Sequence, residues 1–145
     1  MIDNLLPEGF KDEVSNQAGV EHKYTSKIIN LFQKNGYLLV KTPLIEFLNQ
    51  TNSNNSFKIN VQKNHKQLVI REDITMQIAR LASSRLLKRT RPLKLCYFGE
   101  VIRDKGSILR PERQFLQVGA ECIGEKSYLA DVEMISLAYN ALSLV

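Results

Sequence analysis

From Ile102 to Gly124 the chain reads IRDKGSILRPERQFLQVGAECIG, and its second half alternates with the two-residue period of a strand. Arg113, Phe115, Gln117, Gly119 and Glu121 fall on one face, and Leu116, Val118, Ala120 and Cys122 on the other. The second face is plain core. The first lines up an arginine, an aromatic ring, an amide and a carboxylate beside a glycine at which a bound molecule can approach the backbone. That face reads as a floor for a small polar ligand, although a solvated face of an antiparallel sheet carries the same pattern. Upstream, Leu93, Leu95, Tyr97, Gly99, Val101 and Arg103 alternate in the same way, and DKGSILRPE supplies the Gly and Pro of a long hairpin loop. Arg103 and Arg113 then stand near the hairpin mouth, with Gln117 and Glu121 further along.

Around this hairpin the pattern is helix, strand, hairpin, helix, long hairpin, helix. Val20, Tyr24, Ile28, Leu31 and Phe32 form a helical stripe from about Glu13, which Asn35 and Gly36 end. Tyr37–Val40 is a short apolar strand that must stop or turn at Pro43, and Leu44–Phe47 resumes an apolar edge. The QTNSNNS stretch is a polar loop. SFKINV and QLVIR alternate around KNHK as a second hairpin, with His65 a turn residue rather than a ligand. Asp73 precedes the stripe Ile74, Ile78, Leu81, Ala82 and Leu86 and suits an N-cap. Leu129, Val132, Ile135, Ala138, Tyr139 and Leu142 give a last helix that reaches Val145 without a C-terminal cap. The order predicts one α+β domain over residues 1–145: an antiparallel sheet with helices packed on one face.

A chain of 145 residues buries about two-thirds of its unfolded surface. It needs no disulfide to fold. With 43% hydrophobic and 24% charged residues it is globular in composition. No run approaches the roughly 18 apolar residues of a membrane span, and MIDNLLPEGF lacks a signal core, so a cytoplasmic protein is expected. Cys96 and Cys122 fall on the apolar parity and read as reduced packing thiols. Two histidines and no CxxC leave no expected metal site, and no cofactor is implied. The net charge of +5 and the run KRTRPLK admit a phosphate partner. Without interleaved aromatics, however, the run reads as solvated surface, and nucleic acid is not an expected partner.

Three ordered segments carry a family resemblance. GYLLVKTPLIEF resembles motif 1 of the class II aminoacyl-tRNA synthetases, whose central proline, here Pro43, builds a dimer interface. IREDIT followed by QIARLA resembles the segment with the carboxylate for the substrate amine, and CYFGEVIRDKGSILRPERQFLQVGAE resembles motif 2. Nearly the whole chain is similar to the N-terminal part of the catalytic core in the histidyl branch. That branch includes the synthetases and a paralogous family, the regulatory subunits of ATP phosphoribosyltransferase, which work with a short catalytic subunit in the first step of histidine biosynthesis. LLPEGFKD, REDITMQIAR and PLKLCYFGEVIR resemble the paralogue more closely, as does an aspartate, Asp73, where the synthetases have glutamate.

The resemblance implies a histidine pocket of Asp73, Thr75, Arg103, Gln117 and Glu121, in which the two acids face the ligand's ammonium and imidazole. It also implies a vestigial nucleotide site at Arg113 and Phe115. Departures from motif 2 support the regulatory branch. Where a synthetase has Phe-Arg-x-Glu, this chain has Ile102, Arg103, Asp104 and Lys105; where a synthetase has Gly-Arg-Tyr-Arg-Glu-Phe, it has Arg110, Pro111, Glu112, Arg113, Gln114 and Phe115. A cation replaces an acceptor, and a proline replaces a cation. Fewer cationic donors weaken the electrostatic term that usually dominates adenylate formation. With no Gly-x-Gly, motif 3 is missing and an incomplete core is expected. The implied role is a non-catalytic, histidine-sensing homodimeric subunit within a larger hetero-oligomer. An N-terminal fragment of a divergent histidyl-tRNA synthetase and a free-standing binding module are the alternatives.

Overall fold

A computed structural model describes residues 6–48, 56–59, 67–106, 109 and 111–145. The polar loop up to Asn55, the KNHK turn with His65, and Arg110 lie outside the described residues. The elements follow in order as α1 (Asn16–Lys34), β1 (Leu38–Leu39), β2 (Ile45–Phe47), β3 (Phe57–Ile59), β4 (Leu68–Ile70), α2 (Thr75–Ser83), β5 (Leu93–Ile102), β6 (Gln114–Ile123) and α3 (Tyr128–Leu142). Gly36 ends α1 with φ +85°, the left-handed turn that only glycine adopts cheaply.

Residues β5 and β6 pair antiparallel along their whole ten-residue length, from Leu93 opposite Ile123 to Ile102 opposite Gln114. β1 adds to the other side of β5 in parallel, and β2, β4 and β3 form a second, antiparallel sheet. The predicted sheet is therefore two small sheets, one of them with a parallel edge, which requires the crossover through β2, β3, β4 and α2.

The parity of β5 and β6 decides how the helices pack. On one face Cys96, Val118 and Ala120 meet Ile29 and Phe32 of α1, Tyr37, and Leu137 of α3. On the other, Leu93, Leu95, Tyr97 and Val101, with Phe115 beside them, pack on Ile74, just before α2, and on Ile78 and Ala82 of α2. Helices were expected on one face; α1 and α3 share one, and α2 takes the opposite one. The face read as a ligand floor is thus half roofed by α2, because Ile74 and Ile78 need the apolar β5 residues that share its parity. Both cysteines are free thiols, and burial pushes both above the usual thiol range.

The two sheets are joined at Arg71. Its backbone N–H donates to Leu44 O at 3.0 Å, and its carbonyl accepts from Ile102 N at 3.0 Å. Its side chain is buried and donates from Nε to Glu100 O at 2.7 Å and from Nη1 to Thr42 O at 3.0 Å and Thr42 Oγ1 at 3.1 Å. Gly99 makes room, because a Cβ there would collide with the guanidinium. Burial lowers the Arg71 pKa, and the charges of Glu100 and Glu46 oppose the shift. Replacing Arg71 with Met keeps the stem and strips donors from buried carbonyls. The expected loss is about 3 kcal/mol in urea unfolding, while Thr42→Val, which breaks one of the bonds, costs about 1 kcal/mol.

Candidate functional site

The N-terminus of α2 faces β6 across a set of polar side chains. Gln117, on the odd face of β6, bridges the chain before α2 with both ends of its amide: Nε2 donates to Asp73 Oδ2 at 2.9 Å, and Oε1 accepts from Ile74 N at 3.0 Å. Asp73 Oδ1 in turn accepts from Met76 N at 3.3 Å. Asp73 therefore caps the first turn, as its position suggested, and is also anchored to the sheet. A carboxylate at this place gains from the unpaired N–H groups and dipole of the helix start.

Four residues further along β6, Glu121 Oε1 accepts from the Tyr97 hydroxyl at 3.1 Å, and the same hydroxyl lies 3.0 Å from Thr75 Oγ1. Tyr97 thus ties Glu121 to α2 as Gln117 ties Asp73 to it. Among the described residues Glu121 Oε2 takes no hydrogen bond. Burial, the largest cause, pushes the Tyr97 phenol up to about 12, so it stays a neutral donor at physiological pH.

Four of the five predicted pocket residues, Asp73, Thr75, Gln117 and Glu121, meet in this network. Arg103 stands apart at the hairpin mouth, exposed, with its guanidinium 4.9 Å from the Phe115 ring centroid. Phe115 packs against the α2-side core. Arg113 is fully engaged: its guanidinium lies over the rings of Phe10 at 5.3 Å and Phe57 at 5.0 Å. It also pairs with Asp104 at 3.3 Å and donates to Glu8 O at 3.2 Å. Gly9 allows this, since with φ +80° a Cβ there would come within 2.6 Å of the Arg113 stem.

Sequence reasoning missed Tyr97 as a polar member of the site and misread Gly119. The space above Gly119 is not open to a ligand: a Cβ there would fall 2.5 Å from the Tyr97 ring and hydroxyl. The signal was present in the register, because Tyr97 and Gly119 are direct cross-strand partners. Arg71 and Gln77 were missed as well. Arg71 shares a strand face with buried Val69, and Gln77 adjoins the helical stripe of Ile74, Ile78 and Leu81; the loss of solvent at both positions is set by neighbours distant in the chain.

Chemically, two carboxylates are held rigid from one side by neutral donors, an arrangement suited to a ligand carrying ammonium-type N–H donors. Among the described residues no group of three or more potential metal ligands occurs, and no helix is long and apolar enough to cross a membrane.

This fold, with its paired motifs, defines a class II synthetase-type core, and the Histidyl-tRNA synthetase family model matches residues 9–145: the chain belongs to that family. Within it, the ATP phosphoribosyltransferase regulatory subunit of Rhodospirillum rubrum is 41% identical over 96% of this chain. The protein of the same name from Rhodospirillum centenum is 39% identical over 97%. The chain spans 38% of the length of each of these curated relatives. A crystal structure described as an ATP phosphoribosyltransferase regulatory subunit/histidyl-tRNA synthetase from Bacillus halodurans matches with TM-score 0.86 at 28% identity, over 99% of this chain and 38% of that one. Histidyl-tRNA synthetase from Nostoc, 20% identical, shares the fold with TM-score 0.80 over 98% of this chain and 34% of that one.

Two outcomes follow from Tyr97. Gly119→Ala drives a methyl group into a buried ring and is expected to cost about 2 kcal/mol, read as a lower Tm. Because the raised phenol pKa keeps the proton in the folded state, stability is unaffected below the unfolded tyrosine pKa of about 10 and falls as pH rises toward 12. Urea midpoints measured across that range should drop less steeply in Tyr97→Phe.

Proposed function

We propose that this chain is part of a regulatory subunit of ATP phosphoribosyltransferase that binds L-histidine and catalyses no reaction of its own. The observation that carries the reading is the double tether, Gln117 on Asp73 and Tyr97 on Glu121, which holds two acids in place with neutral donors rather than cations. Histidine brings an ammonium group and imidazole N–H groups to such a site. Half-buried carboxylates gain from charged hydrogen-bond partners, and a bound amino acid supplies them. The names of the relatives support the same reading.

Synthetase chemistry is disfavoured by Lys105, by Pro111 and by Arg113. A guanidinium that already lies over two rings and pairs with Asp104 would have to leave them to grip a polyphosphate. In this reading the partners are a short catalytic subunit and a second copy of the chain, and the setting is the cytoplasm. The exposed apolar residues Leu38, Leu39, Leu44, Ile45 and Phe47 around Pro43 offer the surface for the second copy.

Calorimetry of L-histidine with the catalytic subunit present tests the ligand. Glu121→Gln keeps the shape and removes the charge, so histidine affinity should fall by about 1–3 kcal/mol. Unchanged affinity would reduce the polar face to solvated surface. ATP–pyrophosphate exchange above an enzyme-free blank would instead favour a divergent synthetase.

A further inference from the structure

The seven residues Arg71–Gln77 serve two places at once. Asp73 and Thr75 are bound to Gln117 and Tyr97 in the candidate pocket. Arg71 and Gln77 hold the arm around Pro43: Arg71 through Thr42 O and Pro43 O, and Gln77 Nε2 through Pro43 O at 3.0 Å and Glu46 Oε2 at 3.2 Å. That arm is the exposed apolar surface, with Leu38 66%, Ile45 48% and Phe47 56% accessible.

Gln77 is the telling residue. Its side chain is fully buried, and its Oε1 has no partner among the described residues. An orphaned buried acceptor is unfavourable, and a methionine would fill the same space without one. What only the amide supplies is a pair of donors into the arm. Ile74 and Ile78, next to Thr75 and Gln77 in the chain, are both essentially inaccessible in the α2-side core. A close-packed turn of helix passes a displacement on rather than absorbing it.

We propose that Arg71–Gln77 is a coupling element: when Asp73 and Thr75 close on a cationic amino acid, the first turn of α2 shifts and, through Gln77 and Arg71, resets the Pro43 arm against which a second copy packs. Linkage makes the effect reciprocal, so association at the arm changes affinity at the pocket by the same factor. The proposal rests on the pocket and arm readings above.

Hydrogen exchange on the full chain tests it with and without ligand. Gln77→Met should speed exchange of the Ile45–Phe47 amides about tenfold while β5 and β6 keep their protection. Asp73→Asn sets an amide donor against either Gln117 Nε2 or the Met76 N–H, or flips the Gln117 amide and strips the Ile74 N–H of its acceptor. It should alter exchange in the same distant arm about threefold or more. An arm that does not respond to Asp73→Asn overturns the coupling. Added L-histidine should slow exchange in the wild-type arm, whereas Gln77→Met should bind histidine within about twofold of wild type and leave its arm unchanged. If histidine binds and the wild-type arm is silent, the coupling falls and the pocket stands. If histidine fails to bind while Asp73→Asn still perturbs the arm, the pocket reading falls and takes the ligand-driven coupling with it, leaving only a mechanical link between Asp73 and the arm.

Discussion

The guanidinium of Arg71 is the contact on which the architecture turns. Two three-stranded sheets, each small, meet where the chain leaves β4. Arg71 joins them by charged hydrogen bonds to the carbonyls of Thr42 and Glu100, while its own backbone bonds to Leu44 and Ile102. Burying a cation is costly, which is visible in its lowered pKa. The cost is offset because the acceptors are carbonyls that burial would otherwise leave unsatisfied, and because Glu46 and Glu100 lie near enough to favour the charge. The glycine opposite, Gly99, exists to clear its path.

The candidate pocket follows from that junction. Arg71 fixes where the chain turns into α2, and the start of α2 presents Asp73 and Thr75 to β6. Gln117 and Tyr97 then lock the helix start to the sheet with neutral donors. Neutrality matters here. An arginine or lysine in either place would satisfy the acids and remove their attraction for a ligand cation. The raised Tyr97 phenol keeps its proton and stays the donor to Glu121.

At the opposite end of the hairpin the same kind of residue has the opposite fate. Arg113 is clasped by Phe10, Phe57, Asp104 and the Glu8 carbonyl. The segment before α1 is thereby pinned across the hairpin mouth, with Arg113 N donating to Gly9 O at 2.8 Å. Arg103, which has no such clasp, is exposed and leans on Phe115. Two arginines of similar appearance in the sequence therefore differ in availability, and the difference lies in partners as near as Asp104 and as far along the chain as Glu8.

What the sequence determined by itself was local. The alternation of Leu93–Ile102 and Gln114–Ile123 and the stop at Gly36 follow from periods and backbone preferences that depend on near neighbours, and so does the capping role of Asp73. The same parity put Gln117 and Glu121 on one face. Tertiary structure decided which face α2 would cover, that β1 would pair in parallel, that Tyr97 rather than a ligand would fill the space over Gly119, and that Arg71 and Gln77 would be buried. Those outcomes depend on contacts between residues distant in the chain, such as Leu38 with Leu95 and Arg71 with Thr42, where packing volume and the need to satisfy buried polar groups select among arrangements that local patterns leave equally good.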